Sequence, residues 1–442
     1  MLTFPFPCAI LKEIPQKRFL MTTKVQKRTI EEVRALPKEK KISPKKPNLF
    51  WRTLLKILSS VDLIKTHFTL KKVGMEKLGK KEPCLILMNH TSFIDLKIAE
   101  YCFYPRPLNI VTTFDGFVGL KWLLQQIGCF PTRKFTPERQ VIKDMKYCLE
   151  KLKTSVLMFP EASYSIDGTA TTLPQSVGKA LKLLNVPIVT LISEGAYSRQ
   201  PLFNNLRKRK VKVSATMEYL LSPEELKTLS VEEINEKVKK AFSFDAYRWQ
   251  EENGVLITEP YRAEGLDRLL YKCPHCMAEG KSVGVQDKWV CQACGAEYVL
   301  TETGKMQAVN GETKIDHIPD WFAWERACVR EDLLNESYLL DTEVDIYVLA
   351  TTKCLYGIGK GRLIHNTDGF KLYDEKGVLL HEQAPLFSYS INADFFWYEI
   401  GDVVYIGNSD LTYCCVPVNL RNVVAKTRLA AEELYKIKKA DK

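Results

Sequence analysis

The sequence predicts an α/β domain with a mostly parallel sheet, then a small cysteine-containing module, then a β-rich domain that ends in a helix. Three observations support this order. Short apolar runs at 84–88, 155–159 and 186–192 are separated by helical stretches, as buried parallel strands and their crossover helices would be. Two Cys-x2-Cys pairs follow, and strand-like sequence dominates after about residue 340. A chain of 442 residues is long enough for two or three domains.

Composition indicates the compartment. Thirteen cysteines are an odd number thinly spread along the chain, so we expect reduced thiols in a cytoplasmic protein rather than a disulfide framework. The longest apolar runs fall short of the ~20 residues that a membrane-spanning helix needs. The opening residues place apolar side chains before charges, the reverse of a secretory signal, so we expect no export.

The net charge of +11 is concentrated near the N-terminus. Residues 1–82 hold 20 Lys and Arg against 7 Asp and Glu, whereas the rest of the chain is close to neutral. Such an excess predicts an anionic partner surface, either a membrane or nucleic acid. The near-neutral remainder argues against nucleic acid. The partner we expect is therefore the anionic inner face of a membrane, to which the protein attaches peripherally.

The first 68 residues divide into two segments. Residues 1–47 are basic and end in a Lys/Pro-rich stretch, which predicts a poorly ordered segment. Residues 48–68 carry an apolar stripe at helical spacing. The stripe comprises Phe50, Leu54, Ile57, Leu58, Val61, Ile64 and Phe68. It fits either a helix lying in a membrane interface or a helix packed on the following domain, and the sequence leaves both open.

The α/β domain is predicted over 69–250, and its first buried strand runs into the stretch NHTSFID. One interpretation of this stretch is architectural, because Ser92 and Asp95 have the spacing of a capping box that starts a helix. The other is catalytic, because α/β sheets place their sites in loops that leave the carboxyl ends of strands. There Asp95 could hold one ring nitrogen of His90 and leave the other free as a general base.

Three further motifs follow in order: GCFPTR at 128–133, FPEASYS at 159–165 and NVPIV at 185–189. Together with NHTSFID they resemble the four motifs of the glycerolipid acyltransferases, the 1-acylglycerol-3-phosphate acyltransferase family. The resemblance covers roughly residues 50–245 and implies that family's sheet. It also implies transfer of a fatty acyl group from acyl-CoA or acyl carrier protein to the hydroxyl of a lysophospholipid. The acceptor that it indicates first is 1-acylglycerol-3-phosphate, in phospholipid synthesis.

The resemblance also assigns roles to residues. His90 would be the general base, Asp95 would orient it, Arg133 would contact the acceptor's phosphate and Glu161 would help to hold the acceptor. The residues expected to bind substrate are Asn89, Arg133, Glu161, Ser163 and Ser165.

One departure from the family concerns the third motif, usually Phe-Pro-Glu-Gly-x-Arg-Ser. This sequence has Ala162 in place of the glycine and Tyr164 in place of the arginine. A neutral phenol cannot replace a permanent cation with five donors at a phosphate site. The same chemistry on a different hydroxyl acceptor is therefore a second hypothesis.

Residues 268–300 carry the pattern C-x2-C-x14-C-x2-C, made by Cys273, Cys276, Cys291 and Cys294. Two such pairs on tight turns can set four thiolates in a tetrahedron around zinc, and the segment resembles a zinc ribbon. Such a zinc is structural because it has no open coordination position. His275 is not expected to be a ligand, and reduced, unligated thiols are the alternative. A zinc-ribbon scaffold or nucleic-acid-binding protein with a relic acyltransferase domain is the remaining functional hypothesis.

Residues 335–442 are predicted to form a β-rich domain with a C-terminal helix. The turn signals NTDG, at 366–369, and DEKG, at 374–377, separate strand-like runs. Several strands followed by one amphipathic helix resemble the pleckstrin-homology-like barrel in architecture, without a diagnostic motif. Barrels of that kind recruit lipids or proteins.

Overall fold

The N-terminal part of the chain contains one strand and two helices. The computed structural model describes residues 25–135, 139–398 and 400–441. The first elements are β1 (Val25–Lys27), α1 (Ile30–Arg34) and α2 (Leu49–Lys65). Ile30 and Val33 are buried, and β1 pairs with a strand of the C-terminal sheet. Among the described residues, regular structure is thus present from Val25 to Arg34, within the range 1–47 where the sequence predicted poor order; residues 1–24 lie outside the described residues.

The α/β domain begins at Thr69 and alternates strands with helices. In chain order its elements are β2 (Thr69–Val73), β3 (Leu85–Met88), α3 (Asp95–Phe103), β4 (Leu108–Thr113), α4 (Lys121–Gln126), β5 (Cys129–Thr132), α5 (Gln140–Tyr147), β6 (Ser155–Met158), α6 (Val177–Leu184), β7 (Ile188–Glu194), α7 (Ala196–Arg199), β8 (Ser214–Leu221), α8 (Pro223–Thr228), α9 (Val231–Ala241) and α10 (Ala246–Glu252). Within the described ranges the strands form a seven-stranded sheet in the order β2-β8-β7-β3-β6-β4-β5. Neighbours run parallel except at β7–β8, so the predicted mostly parallel sheet is confirmed.

The central strand β3 requires a layer on each side of the sheet. All four of its residues are buried, and a strand that is apolar on both faces must be covered on both. Helices α2 and α3 cover one face, and α5, α6 and α9 cover the other. In this arrangement β3, β4, β5, β6 and β7 all end at one edge of the sheet. Loops from the carboxyl ends of five strands therefore meet there.

The cysteine-containing segment forms a small antiparallel sheet. Its strands are β9 (Ser282–Val285), β10 (Lys288–Cys291), β11 (Glu297–Leu300) and β12 (Met306–Ala308), in the order β12-β11-β10-β9. Helix α11 (Ile318–Leu334) follows. We call residues 268–308 the ribbon.

The C-terminal part is an antiparallel sheet followed by a helix, as predicted. Its elements are β13 (Leu340–Leu349), β14 (Leu355–Asn366), β15 (Gly369–Asp374), β16 (Leu379–Gln383), β17 (Ala393–Trp397), β18 (Gly401–Gly407), β19 (Thr412–Pro417) and α12 (Val423–Ala440). The strand order is β16-β15-β14-β13-β19-β18-β17, and β1 adds to β14 in parallel. Two meanders are thus joined through the β13–β19 pair.

One buried apolar cluster joins the α/β domain, the ribbon and the C-terminal part. Trp289 of the ribbon packs on Trp321 of α11 with ring centres 5.0 Å apart. The same cluster includes Tyr197 of the α/β domain and Leu429 of α12. A second apolar cluster packs Val118 of the α/β domain against the C-terminal sheet. The C-terminal sheet is therefore docked on the α/β domain by buried apolar contacts.

Helix α2 packs with a largely polar side inward. Its buried residues are Arg52, Ser59 and Leu63, and a guanidinium nitrogen of Arg52 lies 2.7 Å from the carboxylate of Glu100 on α3. The opposite side, which we call the apolar face of α2, consists of the exposed residues Leu49, Phe50, Ile57, Val61 and Ile64. The helix does pack on the domain, but most of its predicted stripe points away from it.

The apolar face of α2 continues onto α4. The indole rings of Trp51 and Trp122 are 5.3 Å apart, and Trp122 is 60% exposed. None of the described helices has the length and apolarity needed to cross a bilayer.

Breaking the Arg52–Glu100 pair should destabilise the protein strongly. Each residue is 1% exposed, and burial raises the pKa of Glu100 while the Arg52 charge opposes that rise. Removing one partner leaves the other buried without compensation. We expect Arg52→Met to lower the free energy of unfolding by about 3–5 kcal/mol in urea denaturation.

Two further variants complete this measurement. The double variant Arg52→Met/Glu100→Leu should regain much of the loss because it buries no charge. The exposed pair Lys146–Glu150 is the control, and Lys146→Met should cost less than about 0.5 kcal/mol. A cost for Arg52→Met no larger than that of the control would contradict the prediction.

Candidate active site

The loop after β3 holds His90 against Asp95. Nδ1 of His90 lies 3.1 Å from Oδ2 of Asp95. The same oxygen accepts the backbone N–H groups of Thr91, at 2.7 Å, and Ser92, at 2.9 Å. A carboxylate oxygen that already accepts two N–H groups acts as an acceptor towards the imidazole too, so Nδ1 carries the proton and donates it to Asp95. The other ring nitrogen, Nε2, then carries the lone pair. Nε2 makes no hydrogen bond with any residue that the structure describes.

The capping box predicted for Ser92 and Asp95 is only half formed. Asp95 accepts the N–H of Ser92, but the hydroxyl of Ser92 is buried without a partner in the described part of the chain. Helix α3 begins at Asp95 itself, with Ile94 at its N-cap. The carboxylate therefore fixes the loop that carries His90, and the reciprocal side-chain bond of a capping box is missing.

Asn89 joins the ends of two strands. Its amide nitrogen donates to the carbonyl of Ser193 at 3.0 Å, and its amide oxygen accepts the N–H of Ser193 at 2.8 Å. The hydroxyl of Ser193 also donates to Oδ1 of Asp95, at 3.4 Å. Asn89 is completely buried. Its observed contacts position the loop, and its substrate-binding role stays a prediction.

Glu161 fixes the same loop from the end of β6. Its two carboxylate oxygens accept the N–H of His90, at 2.9 Å, and of Thr171, at 2.8 Å. Burial raises its pKa to about 7, although both N–H groups favour the charged form. Ser165 donates its N–H to the carbonyl of His90 at 2.7 Å. Ser163 is buried, and its hydroxyl has no partner among the described residues.

Two aromatic rings hold the imidazole between them. The ring centres of Phe159 and Tyr164 lie 4.1 and 3.7 Å from that of His90, both near parallel to it. Two rings this close cannot share one face, so they flank the imidazole on opposite sides. The His90 side chain is 15% exposed. Burial lowers its pKa, and the hydrogen bond and charge of Asp95 only partly offset this. The arrangement keeps a neutral imidazole that can accept a proton at Nε2.

Arg133 follows the end of β5, which lies three strands, or ~14 Å by strand spacing, from β3 in the sheet. Its guanidinium donates to the hydroxyl of Thr412 at 2.8 Å and stacks 4.1 Å from the ring centre of Phe114. Arg133 lines a cavity between the sheet edge and the C-terminal domain. Its predicted contact with a phosphate stays a prediction.

The C-terminal domain borders the site. The hydroxyls of Tyr398 and Tyr405 donate to the carbonyl and carboxylate of Asp115, at 3.0 and 3.2 Å, in the loop after β4. Arg428 of α12 donates to the carbonyl of Tyr164 at 3.2 Å. The charge of Asp394, on β17, acts on the pKa of His90. This domain is therefore one wall of the site.

Sequence reasoning missed three residues around the dyad. Ser193 could have been found, since it lies at the carboxyl end of the strand that NVPIV begins. Thr171 and Asp394 carry no local pattern, because each is brought to the site only by the tertiary fold.

A second cluster lies in the ribbon. The sulfur atoms of Cys273 and Cys294 are 3.7 Å apart, as are those of Cys276 and Cys291. All four lie within 4.8 Å of one another. Tetrahedral Zn–S bonds of about 2.3 Å put sulfurs ~3.8 Å apart, so the cluster has dimensions suited to zinc. The imidazole of His275 instead bonds the hydroxyl of Tyr298 at 2.8 Å. The predicted convergence of four cysteines is confirmed, and the cluster could bind zinc.

We expect the purified protein to contain about one zinc per chain by elemental analysis. Chelation should lower the thermal unfolding midpoint, because the ribbon's Trp289 belongs to the apolar cluster shared by the domains. Cys276→Ser should lose the metal and the stability together. Cys102→Ser, which changes a cysteine of α3, is the control and should retain zinc. Zinc well below one per chain in the wild-type protein would rule out the assignment.

Comparison with known proteins finds matches to part of the chain. Residues 69–194 match the acyltransferase family. Among solved structures, the 1-acyl-sn-glycerophosphate acyltransferase of Thermotoga maritima is similar at 17% identity and a TM-score of 0.33, over 43% of this chain and 78% of that one. No curated protein is matched by the sequence. The segment that contains His90, Asp95 and Glu161, residues 69–194, is an acyltransferase-family domain.

Proposed function

We propose that the protein transfers a fatty acyl group from acyl-CoA or acyl carrier protein to the hydroxyl of a lysophospholipid, with 1-acylglycerol-3-phosphate as the first acceptor to test. The observation that carries this proposal is the hydrogen bond between His90 and Asp95 at the edge of the sheet. It leaves Nε2 as a base in a site where burial keeps the ring neutral.

The proposed reaction needs no enzyme-bound acyl group. Nε2 of His90 takes the proton of the acceptor hydroxyl while its oxygen attacks the thioester carbonyl carbon. The tetrahedral intermediate then expels the thiolate, which receives that proton from the imidazolium. The products are an ester and a free thiol. Asp95 stabilises the imidazolium, and Glu161 acts as a positioning residue through the backbone N–H of His90.

A different hydroxyl acceptor is the second candidate. Tyr164, in place of the family's arginine, stacks on His90. Arg133 already contacts Thr412 and Phe114. Neither arrangement favours a phosphate beside the dyad, so an acceptor without a phosphomonoester group belongs in the same assay.

We propose that the ribbon and C-terminal domain support the catalytic domain. Lysines of the ribbon pair with acids, Lys272 with Glu279 at 3.2 Å and Lys288 with Glu297 at 3.1 Å. That pairing does not favour nucleic-acid binding. The strand order and final helix of the C-terminal domain support the proposed pleckstrin-homology-like barrel.

We also propose peripheral attachment to the cytoplasmic face of a membrane through the apolar face of α2. Exposing the side chains of Ile57 and Ile64 to water does not stabilise a soluble domain. A helix that lies in a membrane interface buries such side chains among the lipid chains. Trp122 beside them suits the headgroup level.

Acyl transfer should depend on a neutral His90. With a water-soluble short-chain acceptor and acyl-CoA, we expect thiol release from the wild type and a loss of ~10²–10⁴-fold in His90→Ala. Because burial lowers the pKa of His90, kcat/KM should stay level at neutral pH and fall only below the ~6.5 of a free histidine. Asp95→Asn removes a charge that raises this pKa, so the fall should move to still lower pH, with a reduced rate.

His67→Asn is the control, since His67 is exposed at the end of α2 and its positive φ suits asparagine. It should keep the wild-type rate. Equal thiol release by the wild type and His90→Ala would refute the catalytic role, and the panel of acceptors with and without phosphate identifies the substrate.

Membrane attachment should depend on the apolar face of α2. Ile64 is 74% exposed and Ile57 is 57% exposed, so Ile57→Glu/Ile64→Glu should leave the unfolding temperature unchanged. We expect at least roughly tenfold weaker sedimentation with vesicles that contain anionic lipid. The control is Leu183→Glu, an exposed leucine of α6 on the other face of the sheet, which should bind as the wild type does. Unchanged binding of the double variant would exclude α2 as the membrane contact.

A further inference from the structure

Arg199, the last residue of α7, is buried, and the charge of Asp62 acts on its guanidinium although the two form no ion pair. It is 8% exposed. Its backbone is fixed by bonds to Gly195, at 2.9 Å, and Arg209, at 2.7 Å. Its guanidinium makes no hydrogen bond or ion pair with any part of the chain that the structure describes, yet its nitrogens reach the surface. A largely buried guanidinium that has no hydrogen-bonded acceptor is costly unless an anion joins it.

The charges around Arg199 leave a local positive excess. Asp62 of α2 forms an ion pair with Lys97 of α3. Burial alone would raise the pKa of Asp62, but the hydrogen bond from Lys97 and the charges of Lys97, Lys208 and Arg199 hold it below its usual value. The charges of three cations thus act on one carboxylate, so positive charge exceeds negative charge around Asp62. Burial and the neighbouring cations also lower the pKa of Lys208, against the effect of Asp62. An anion bound here would relieve this repulsion.

The position of the cluster indicates what kind of anion binds. Asp62 lies on α2 between Val61 and Ile64 of its apolar face, and Lys97 lies two residues after Asp95. An anion held by the cluster therefore lies beside the face proposed to enter the membrane and on the side of the sheet where the dyad lies. A lipid with its phosphate on the cluster can lay its acyl chains along the apolar face.

We propose that Lys97, Arg199 and Lys208 form a binding site for the phosphate group of an anionic phospholipid, on the flank of the apolar face of α2. The planar guanidinium of Arg199 suits two phosphate oxygens at once, which a lysine cannot match. This proposal depends on the proposed docking of α2 to a membrane. It adds that the docked protein prefers lipids whose headgroup carries a phosphate. It orients the bound domain so that the edge with His90 faces the lipid.

The test compares three kinds of vesicle with the full chain: phosphatidylcholine alone, phosphatidylcholine with phosphatidylglycerol, and phosphatidylcholine with oleate at the same surface charge. The wild type should bind the phosphatidylglycerol vesicles most tightly. Arg199→Gln and Lys208→Gln should each weaken that binding about fivefold. Lys237→Gln, an exposed lysine of α9, is the charge-matched control and should change it less than about twofold.

A variant of Arg199 that keeps the positive charge distinguishes a specific phosphate site from general electrostatic attraction to the membrane. Arg199→Lys keeps the charge but should bind phosphatidylglycerol vesicles more weakly than the wild type, because an ammonium cannot hold two phosphate oxygens at once. If it binds those vesicles as tightly as the wild type, general surface charge explains the binding and the site is refuted. Displacement by millimolar inorganic phosphate at constant ionic strength would make free phosphate the ligand and overturn the lipid assignment.

The site can fail independently of the proposed function. A wild-type protein that binds no vesicle would refute the docking of α2. Binding without preference for phosphatidylglycerol over oleate would refute only the phosphate site. His90→Ala should bind all vesicles as the wild type does, so a failure of acyl transfer leaves the binding result unaffected.

Discussion

The arrangement at the sheet edge depends on one buried carboxylate. Asp95 accepts Nδ1–H of His90 and two backbone N–H groups through one oxygen, while its other oxygen meets the hydroxyl of Ser193. Burying a charge is tolerable only when donors saturate it in this way. All of the groups that donate these hydrogen bonds, except the hydroxyl of Ser193, belong to the loop between β3 and α3. The same bonds therefore stabilise the buried charge of Asp95 and fix the orientation of the His90 ring. Glu161, which follows β6, fixes the same loop in a similar way, because its buried carboxylate accepts the backbone N–H of His90.

Much of the fold was predictable because its signals are local. The buried runs became β3, β6 and β7 since a strand covered on both faces must be apolar throughout. NTDG and DEKG became the turns of the C-terminal meander, where Asn366 and Asp374 accept the N–H groups of Asp368 and Lys376, both at 2.9 Å. Four cysteines converge for the same reason, since their spacing sets two tight turns.

What the sequence could not predict depends on long-range packing. Periodicity identified the stripe of α2 but not which side meets the domain, because that choice rests on Glu100, some fifty residues away and buried. His90 and Asp95 were identified by their spacing, whereas the stacking of Tyr164 and the nearness of Asp394 arise from domains folding against one another. Arg133 lies in the predicted motif, but its guanidinium donates to Thr412 of the C-terminal domain. No local sequence pattern indicates that contact.

The pairing of β1 with β14 has a consequence for synthesis. Val25 lies opposite Leu355, so 330 residues must be made before the first described strand meets its partner. At about 5–20 residues per second, that delay is roughly 15–65 s on the ribosome. By chain-entropy scaling, closing this loop costs only about 3 kcal/mol more than closing one of ten residues, so the long delay is the larger consequence. During that interval β1 has exposed edges that other chains could pair with, and its length of only three residues limits such pairing.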